Sequence, residues 1–383
     1  MIISEPGTAL FITVNGPGEL YYWVKPLLDA LSTLSPAPAV WVFLTPCQFS
    51  SGREEEVVQH FPLVQKVFSP PETLRFCFGR DHIQYPRQGV VLFLGGDLFY
   101  SVRLKKRTGY PLWVYGSLLK WFRSVDRYLA RFHRDYEKYS FSKKTFVGDL
   151  LRSYVSDHLL DHSLSERFFP PGEPRILFLP GSRKNVYSLI IDFYTQVARS
   201  FRGSFSEASF VMSFPSHYQS SDMGEITGDS RSIPFYFGKT SELMVEADLT
   251  ITVPGSNNLE LAYRKKKGIV ILPLDVSEKY IPLTGLPGLI EKIPFIGHHI
   301  KKRIIHIKNA HMKWVSLPNI LLDREILKEL RGKVTPEMVA VEAAQLLETK
   351  DTPIDFPEDD FPLSVSRDIS QMIRETLVSD GKK

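Results

Sequence analysis

The chain has 383 residues, of which 43% are apolar and 23% charged, which is enough for two globular domains with separate cores. Its formal charge of +4 is too small to favour nucleic acid as a partner, and its basic clusters lack the interleaved aromatic residues on which single-strand binders stack bases. No apolar run reaches the roughly 18 residues that a membrane-spanning helix needs. Glu5 stands where a secretory signal would be basic, so no signal peptide is expected.

Short β-rich apolar runs recur along the chain, with helical stretches between them. This βαβ rhythm predicts an α/β protein with mostly parallel sheets, in which ligands bind beyond the carboxyl ends of the strands. The runs are Leu10–Val14, Val40–Leu44, Val90–Leu94, Ile176–Leu179, Phe210–Phe214, Leu249–Val253 and Ile269–Leu272.

A cluster of prolines and a glycine at 170–174 interrupts this pattern and predicts a domain boundary. The first domain is expected to cover residues 1–169 and the second 175–348. Residues 349–383 would form an acidic linker and a final amphipathic helix, Val365–Val378, that packs back on the first domain. The acidic Glu358–Asp360 cluster is interpreted as a solvated tail, so no metal is assigned to it.

Two turns of the first domain place carboxylates directly after strands. The first turn lies between the first strand and a helical segment through Leu31, and it contains Asn15, Gly16, Gly18 and Glu19. We expect these residues to bind the substrate that accepts a transferred group, which we call the acceptor. Such a turn is also an ordinary strand-to-helix connection. Glu19 would either favour the helix dipole or accept hydrogen bonds from acceptor hydroxyls.

Asp97 follows two glycines at the end of another strand, where an acceptor could come close. It is a candidate general base, and the alternative is a turn or N-cap aspartate. Glu19 and Asp97 therefore compete for the role of base.

Two turns of the second domain are suited to binding an anion. Gly181, Ser182 and Arg183 follow a strand, and the Arg183 guanidinium could stabilise the charge that grows on a diphosphate leaving group. In the second turn Gly255, Ser256 and Asn257 open a helix, with Ser256 as the expected N-cap and free first-turn amides for a phosphate. Glu260 could accept hydrogen bonds from ribose hydroxyls, or could be only a first-turn carboxylate.

The segment Val315–Glu325 reads VSLPNILLDRE and closely resembles the Ser-Leu-Pro-Asn-Ile-Leu segment, followed by Arg-Glu, of the lipid-A-disaccharide synthase family. Leu179–Arg183 matches the family's Leu-Pro-Gly-Ser-Arg loop, and Gly255–Glu260 matches its Gly-Thr-x-x-Leu-Glu turn. Asp97 falls where the family's proposed catalytic aspartate lies, and Asn319 is counted among the donor-binding residues.

The acceptor half departs from the family pattern. Gly18-Glu19-Leu20-Tyr21-Tyr22-Trp23 replaces Gly-Glu-x-x-Gly-Asp, Gly148-Asp149 replaces Gly-His-Pro, and Gly95-Gly96-Asp97 replaces a Pro-Asp context. The donor half therefore resembles the family more closely than the acceptor half does.

The resemblance implies two Rossmann-like domains facing a central cleft (GT-B) and inverting transfer of an N-acyl glucosamine type of sugar. It implies a UDP-sugar as donor substrate, a lipid-linked or acylated sugar-phosphate acceptor, and neither cofactor nor metal. A non-catalytic lipid- or nucleotide-binding relative and a UDP-sugar epimerase are the alternatives.

An apolar and basic stretch, Tyr280–Ile305, carries Lys301, Lys302 and Arg303 near its end. It would bind an anionic membrane surface peripherally, on the cytoplasmic face, or it would cover a core as an insertion. A second candidate is the set of apolar residues around Trp121 and Phe122 at helical spacing, for which core packing is favoured. A homodimer is left open, and the two cysteines, Cys47 and Cys77, are expected to be free and buried.

Overall fold

The computed structural model describes residues 7–46, 52–116, 121–140, 142–157, 168–182, 187–216, 218, 233–273, 312–349, 354, 356 and 362–380. The chain divides into two compact units. Unit 1 comprises Met1–His158 and Glu358–Lys383, and unit 2 comprises Leu159–Pro357. Each unit is built on one parallel β-sheet, which confirms the predicted α/β fold class.

Unit 1 contains a seven-stranded sheet with the order β3-β2-β1-β4-β5-β6-β7. Alternate residues of β1 enter different cores, with Leu10 and Ile12 on one face and Ala9 and Phe11 on the other, so this strand is apolar throughout. Its strands are β1 (Thr8–Val14), β2 (Ala39–Leu44), β3 (Val64–Phe68), β4 (Gln88–Phe93), β5 (Leu112–Tyr115), β6 (Arg127–Ala130) and β7 (Lys144–Phe146).

The first helical run of unit 1 extends from residue 17 to residue 32 and includes a π-helical turn, Leu20–Val24, between α1 and α2. Its α-helices are α1 (Pro17–Glu19), α2 (Lys25–Ser32), α3 (Glu54–Gln59), α4 (Pro70–Cys77), α5 (Leu98–Thr108), α6 (His133–Lys138) and α7 (Leu150–Asp157). The predicted helix after β1 is thus present and contains a segment of the rarer π type, which often occurs at functional sites.

The C-terminal helix of the chain, which we number α13 (Val365–Asp380), returns to unit 1 and packs against α2 and α7. Val365, Ile369, Ile373 and Leu377 recur every four residues and are buried in the same core as β1. The Ser153 hydroxyl donates to the Leu363 carbonyl at 2.9 Å and fixes the start of the helix. The prediction that the C-terminal segment packs back on the first domain is confirmed.

The helical spacing predicted around Trp121 and Phe122 is wrong. Phe122–Ser124 is a single 3-10 turn, and β6 follows it. Tyr128 and Leu129 enter different cores on opposite faces of the sheet. Because β6 is buried on both faces, its apolar residues follow one another in the sequence, and together with their neighbours they resemble the spacing of a helix with one apolar face.

Unit 2 contains a six-stranded sheet with the order β10-β9-β8-β11-β12-β13. Its strands are β8 (Arg175–Leu179), β9 (Ser209–Phe214), β10 (Phe235–Phe237), β11 (Leu249–Thr252), β12 (Gly268–Pro273) and β13 (Lys328–Gly332). Its described helices are α8 (Tyr187–Arg202), α9 (Thr240–Glu246), α10 (Ser256–Tyr263), α11 (Leu317–Leu322) and α12 (Pro336–Glu348).

The core of unit 2 begins before the proline-rich break, because Phe169 is buried together with Leu177 and Leu179. The Ser209 hydroxyl also donates to the Pro170 carbonyl at 2.8 Å. Within the described ranges, no helix is both long and apolar enough to cross a bilayer.

Candidate functional site

In each unit, the turns predicted to bind substrate follow the two strands at which the strand order reverses. In unit 1 these are the turns after β1 and β4, and in unit 2 those after β8 and β11. Helices leave neighbouring strands on opposite sides of the sheet at such a reversal, which opens a crevice beyond the carboxyl ends of the strands where α/β proteins bind ligands. The topology therefore places both predicted pairs of turns where a ligand site is expected.

Glu19 closes the turn after β1. Its Oε2 accepts hydrogen bonds from the backbone N–H of Gly16 at 2.9 Å and of Asn15 at 3.4 Å. Burial raises the pKa of Glu19 from 4.5 to about 7, although the Asn15 and Gly16 amides act to lower it. The carboxyl group can therefore exchange a proton near neutral pH.

The turn after β4 lies directly against this carboxylate. Gly95 has no side chain, and a Cβ atom on it would overlap the carboxylate of Glu19. Gly96 adopts φ +88°, and a Cβ there would overlap the Thr45 hydroxyl and come 3.3 Å from the Asn15 side chain. The ends of β1, β2 and β4 thus meet in one tight group that depends on these two glycines.

Asp97 is exposed and is the N-cap of α5. Its Oδ1 accepts a hydrogen bond from the Phe99 N–H at 2.9 Å. The N-cap alternative considered for Asp97 is thus present in the structure, whereas its role as a general base stays a prediction.

Trp23 and Asp149, which belong to two of the three altered acceptor segments, meet around Arg131. The Arg131 guanidinium binds the fully buried Asp149 carboxylate through two hydrogen bonds, of 2.8 and 2.9 Å, and its Cζ lies 5.1 Å from the centroid of the Trp23 ring. Trp23 also packs edge-on against Tyr115, with 5.4 Å between ring centroids. Residues from two of the three departures from the family pattern therefore form one cluster, and nothing in the sequence singled out Arg131 as its centre.

In unit 2, the turns after β8 and β11 touch each other. Gly181 adopts φ +86°, and a Cβ on it would lie 2.9 Å from Cγ2 of Val253. The Tyr187 hydroxyl donates to the Gly181 carbonyl at 3.1 Å, and the Tyr218 hydroxyl donates to the Ser182 carbonyl at 2.9 Å. The two tyrosine hydroxyls thus hold the backbone carbonyls of the turn after β8. Arg183 lies outside the described residues.

The expected N-cap role of Ser256 is wrong. Ser256 is the first residue of α10, Gly255 is its N-cap, and the side-chain cap comes from Asn258, whose Oδ1 accepts from the Gly255 N–H at 3.0 Å. Asn258 also donates to the Val253 carbonyl at 3.1 Å and is fully buried. The sequence analysis missed Asn258, although an amide three residues inside a helix start is a recognisable capping signal. Ser256 and Asn257 are partly exposed.

Glu260 is fully buried one turn into α10. Its Oε1 accepts from the Ser241 hydroxyl at 2.6 Å and from Nε of Arg264 at 2.9 Å. The Ser241 contact joins α10 to α9, and the Arg264 contact runs to the C-cap residue of α10 itself, so the carboxylate has a structural role. Its predicted contact with ribose stays a prediction.

Asn319 is also fully buried, and its amide uses its whole hydrogen-bonding capacity inside the protein. Its Oδ1 accepts from the N–H groups of Ile326 and Leu327, and its Nδ2 donates to the Leu327 carbonyl and to Oε1 of Glu329, all within 2.9 Å. Glu329 also accepts from the Ser316 N–H and hydroxyl, both at 2.8 Å. The geometry therefore favours a supporting role for Asn319, and its predicted direct contact with the donor stays a prediction.

No group of three or more histidine, cysteine, aspartate or glutamate side chains in the described part of the chain is placed to hold a metal. Burial raises the pKa of Cys77 to about 12, so this thiol is unreactive at neutral pH. The predicted membrane segment Tyr280–Ile305, the 358–360 cluster and Cys47 lie outside the described residues.

No family model matches the chain. Among curated proteins, it is 28% identical over 247 residues to the lipid-A-disaccharide synthase of Hydrogenovibrio crunogenus, a match that covers 62% of this chain and 59% of that protein. It is 25% identical over 208 residues to the synthase of Chromobacterium violaceum, with 53% and 48% covered. The match thus spans between about half and three fifths of the curated relatives' length.

Solved structures resemble the whole chain at low sequence identity. The UDP-GlcNAc 2-epimerase of Neisseria meningitidis bound to UDP-GlcNAc has a TM-score of 0.58 at 12% identity, with 96% of this chain and all (100%) of that chain covered. The glycotransferase of kitacinnamycin has a TM-score of 0.56 at 12% identity, with 97% and 99% covered. The likeness to these structures shows a shared two-domain GT-B fold, and the predicted resemblance of the sequence to lipid-A-disaccharide synthases is confirmed.

Proposed function

We propose that the chain is an inverting glycosyltransferase that moves an N-acyl glucosamine type of sugar from a UDP-sugar to a lipid-linked or acylated sugar-phosphate acceptor. The observation that carries the proposal is the position of the two turns that match the synthases' donor motifs. They follow β8 and β11, the neighbouring strands at the reversal point of the sheet, and they touch through Gly181 and Val253. A site for a diphosphate is expected there.

The chemistry divides between the two units. In unit 2, the N–H groups at the start of α10 and the Arg183 guanidinium would bind the diphosphate and stabilise the charge that develops on the departing UDP. In unit 1, a carboxylate in the turns after β1 and β4 would remove the proton from the attacking acceptor hydroxyl.

Structural relatives have been solved with a UDP-sugar or with UDP. The Neisseria meningitidis epimerase was solved with UDP-GlcNAc and Staphylococcus aureus MnaA with UDP. Their fold likeness also makes a UDP-sugar epimerase the second candidate for this chain. An epimerase would isomerise free UDP-sugar with no acceptor present, whereas a transferase requires the acceptor.

UDP binding tests the donor half of the proposal. A ligand that binds only the native state stabilises it by about 2.7 kcal/mol at a hundred times its Kd, so millimolar UDP should raise the melting temperature. Arg183→Ala should weaken UDP binding and reduce turnover far more than it reduces folding stability.

Arg175→Ala is the matched control, because Arg175 begins β8 at the opposite end of the same strand and pairs with Glu246 at 3.6 Å. It should leave UDP affinity unchanged. The donor assignment would be contradicted if UDP left the melting temperature unchanged, or if the wild type and Arg183→Ala bound UDP with equal affinity.

We also propose that the protein works at the cytoplasmic face of an anionic membrane, where a lipid-type acceptor would be within reach. The candidate contact from the sequence is the apolar segment 281–296 with Lys301, Lys302 and Arg303. Trp121 and Phe122, which are 44% and 43% exposed, form a second candidate contact on unit 1.

A further inference from the structure

We infer that Glu19 is the general base of the transfer and that Asp97 acts as the cap of α5. This inference rests on the proposed glycosyltransferase function. It concerns which of the two carboxylates near the acceptor receives the proton.

Glu19 has the position and the hydrogen-bonding capacity that a base requires. It lies at the reversal point of the unit 1 sheet, and its Oε2 is fixed by the Asn15 and Gly16 amides. Its Oε1 has no hydrogen-bond partner among the described residues, so one oxygen is held and the other can accept from a ligand. The hydrogen bonds to Oε2 thus orient the carboxylate, and Oε1 keeps its capacity to accept a hydrogen bond.

The glycine beside Glu19 is matched to this role. An ideal Cβ on Gly95 would come 2.8 Å from Oε1 and closer still to Oε2, so any other residue there would displace the carboxylate. The absence of a side chain at Gly95 keeps the turn after β4 in contact with Glu19 without displacing its carboxylate.

A second glutamate, Glu72, has the same position at the start of a helix as Glu19. Comparing the two shows which properties of Glu19 go beyond capping. Glu72 occupies the third position of α4, as Glu19 does in α1, and accepts from the Ser69 N–H at 2.9 Å. The Ser69 hydroxyl and amide hold the pKa of the exposed Glu72 below its usual range, whereas burial raises the pKa of Glu19 to about 7.

Capping alone therefore does not explain the environment of Glu19. Its hydrogen bonds to Asn15 and Gly16 lower its pKa, and desolvation outweighs them; within the described part of the chain, no charged side chain contributes to the shift. A carboxylate with a pKa near neutrality is a stronger base than one with the ordinary pKa and is about half ionised at pH 7.

Asp97 differs from Glu19 in its burial. It is exposed to solvent, and its Oδ1 is engaged by the Phe99 N–H at the start of α5. This N-cap contact accounts for an aspartate at that position without any contribution to the reaction.

The proposed step is balanced as a single displacement. The Glu19 carboxylate takes the proton of the acceptor hydroxyl while the hydroxyl oxygen forms a bond to C1 of the donor sugar. The bond between C1 and the diphosphate oxygen breaks, and UDP leaves with the electron pair. The configuration at C1 inverts, and Glu19 later releases the proton to solvent.

The test compares Glu19→Gln, Asp97→Asn and Glu72→Gln in the whole chain. We would measure transfer from UDP-N-acetylglucosamine to acylated glucosamine phosphates between pH 5.5 and 9, together with UDP affinity. The amide oxygen introduced by Glu19→Gln can still accept the hydrogen bond from the Gly16 N–H, so this variant should fold and bind UDP with unchanged affinity. It should lose at least ~100-fold in rate, the usual contribution of a general base.

Asp97→Asn should lose less than about tenfold, because asparagine also caps helices, and it should keep the wild-type pH profile. Glu72→Gln should match the wild type throughout. The wild-type rate should fall about tenfold per pH unit below about pH 7, and this limb should be absent in Glu19→Gln.

Several outcomes would overturn the inference. One is a Glu19→Gln rate within about threefold of the wild type; another is an Asp97→Asn variant that loses both the rate and the acidic limb. If Glu19→Gln did not fold, Glu19→Asp with an unchanged pH profile would serve as the contradicting result. A wild type that binds UDP but transfers nothing to any acceptor would instead reject the proposed function, and this inference with it.

Discussion

The carboxylate of Glu19 lies directly against the backbone of Gly95, so that a methyl group on Gly95 would overlap both carboxylate oxygens. The two residues belong to the turns after β1 and β4, which the sheet order brings together at its reversal point. The contact makes the position of Glu19 dependent on a residue in another turn, and this dependence can be measured.

We expect Gly95→Ala to fold but to lose transfer activity. The atoms that a Cβ would meet are the far end of a flexible glutamate side chain, so the protein can relieve the overlap by moving the carboxylate. We predict a cost in stability of about 1 kcal/mol and a fall in rate of at least tenfold, measured by urea unfolding and by product formation.

Gly7→Ala is the matched control, because a Cβ on Gly7, the residue before β1, meets nothing within 4 Å. It should leave both quantities near their wild-type values. A Gly95→Ala variant with full activity would show that the position of Glu19 does not matter to the reaction.

The raised pKa of Glu19 predicts a dependence of stability on pH. Because the folded pKa of about 7 exceeds the unfolded value of 4.5, the native state binds the Glu19 proton more tightly than the unfolded state does. The stability that this proton contributes is full below pH 4.5 and is lost as the pH rises through 7, by about 3 kcal/mol in all.

Glu19→Gln carries no such proton, so the difference in unfolding free energy between wild type and variant should fall as the pH rises from 4.5 to about 8. Urea unfolding at several pH values measures this difference. If the curves of wild type and variant run parallel, Glu19 does not have the raised pKa.

We expect substitutions of Asn319 to lower the stability of the fold strongly. Asn319→Ala removes all four hydrogen bonds of the amide and leaves the N–H groups of Ile326 and Leu327 without their side-chain acceptor, so we expect the free energy of unfolding to fall by about 2 to 4 kcal/mol. Asn319→Asp should be worse, because it places a second carboxylate beside Glu329. Chemical denaturation measures both variants.

Asp323→Asn is the control for the two Asn319 variants. Asp323 forms an exposed ion pair with Lys313 at 2.9 Å, and such pairs contribute little to stability. Asparagine also tolerates the left-handed φ of +50° at this position. It should leave the unfolding midpoint nearly unchanged. If Asn319→Ala kept wild-type stability and lost only UDP affinity, Asn319 would be a direct donor contact after all.

The proposed membrane contact predicts binding that responds to salt. The wild type should float with anionic liposomes at low ionic strength and sink as salt is added, because each cation near the surface contributes roughly 1 kcal/mol before screening. Changing Lys301, Lys302 and Arg303 together to serine should abolish flotation while leaving UDP binding intact.

Trp121→Ser combined with Phe122→Ser is the comparison variant, since it removes the exposed aromatic pair of unit 1 and should still float. If the triple serine variant floats regardless of salt and the aromatic variant does not, the contact lies around Trp121 and Phe122.

Much of the fold could be predicted from the sequence, because strands buried on both faces carry continuous apolar runs. Each of the seven runs became a strand at the expected place. The other six described strands, β3, β5, β6, β7, β10 and β13, were missed. The edge strand β13 reads KELRG, and its side chains are only partly buried. A polar edge strand has no apolar pattern by which to recognise it.

Roles that depend on distant partners could not be predicted. Glu19 lies directly against Gly95 of another turn, and residues of β13 and of the turn before it use the full hydrogen-bonding capacity of Asn319. Local patterns identified the turns correctly, because a strand end followed by glycine is visible in the sequence. The burial and pairing that give each carboxylate its chemistry arise from tertiary packing.

The most direct test of the account is the fate of UDP-N-acetylglucosamine when it is incubated with the protein, with and without a lipid extract. We predict that mass spectrometry will show UDP and a glycosylated lipid only when the extract is present, and that Arg183→Ala will suppress both products. Isomerised UDP-sugar formed without the extract would instead identify an epimerase, and unchanged donor under both conditions would contradict the proposal that the chain transfers sugars.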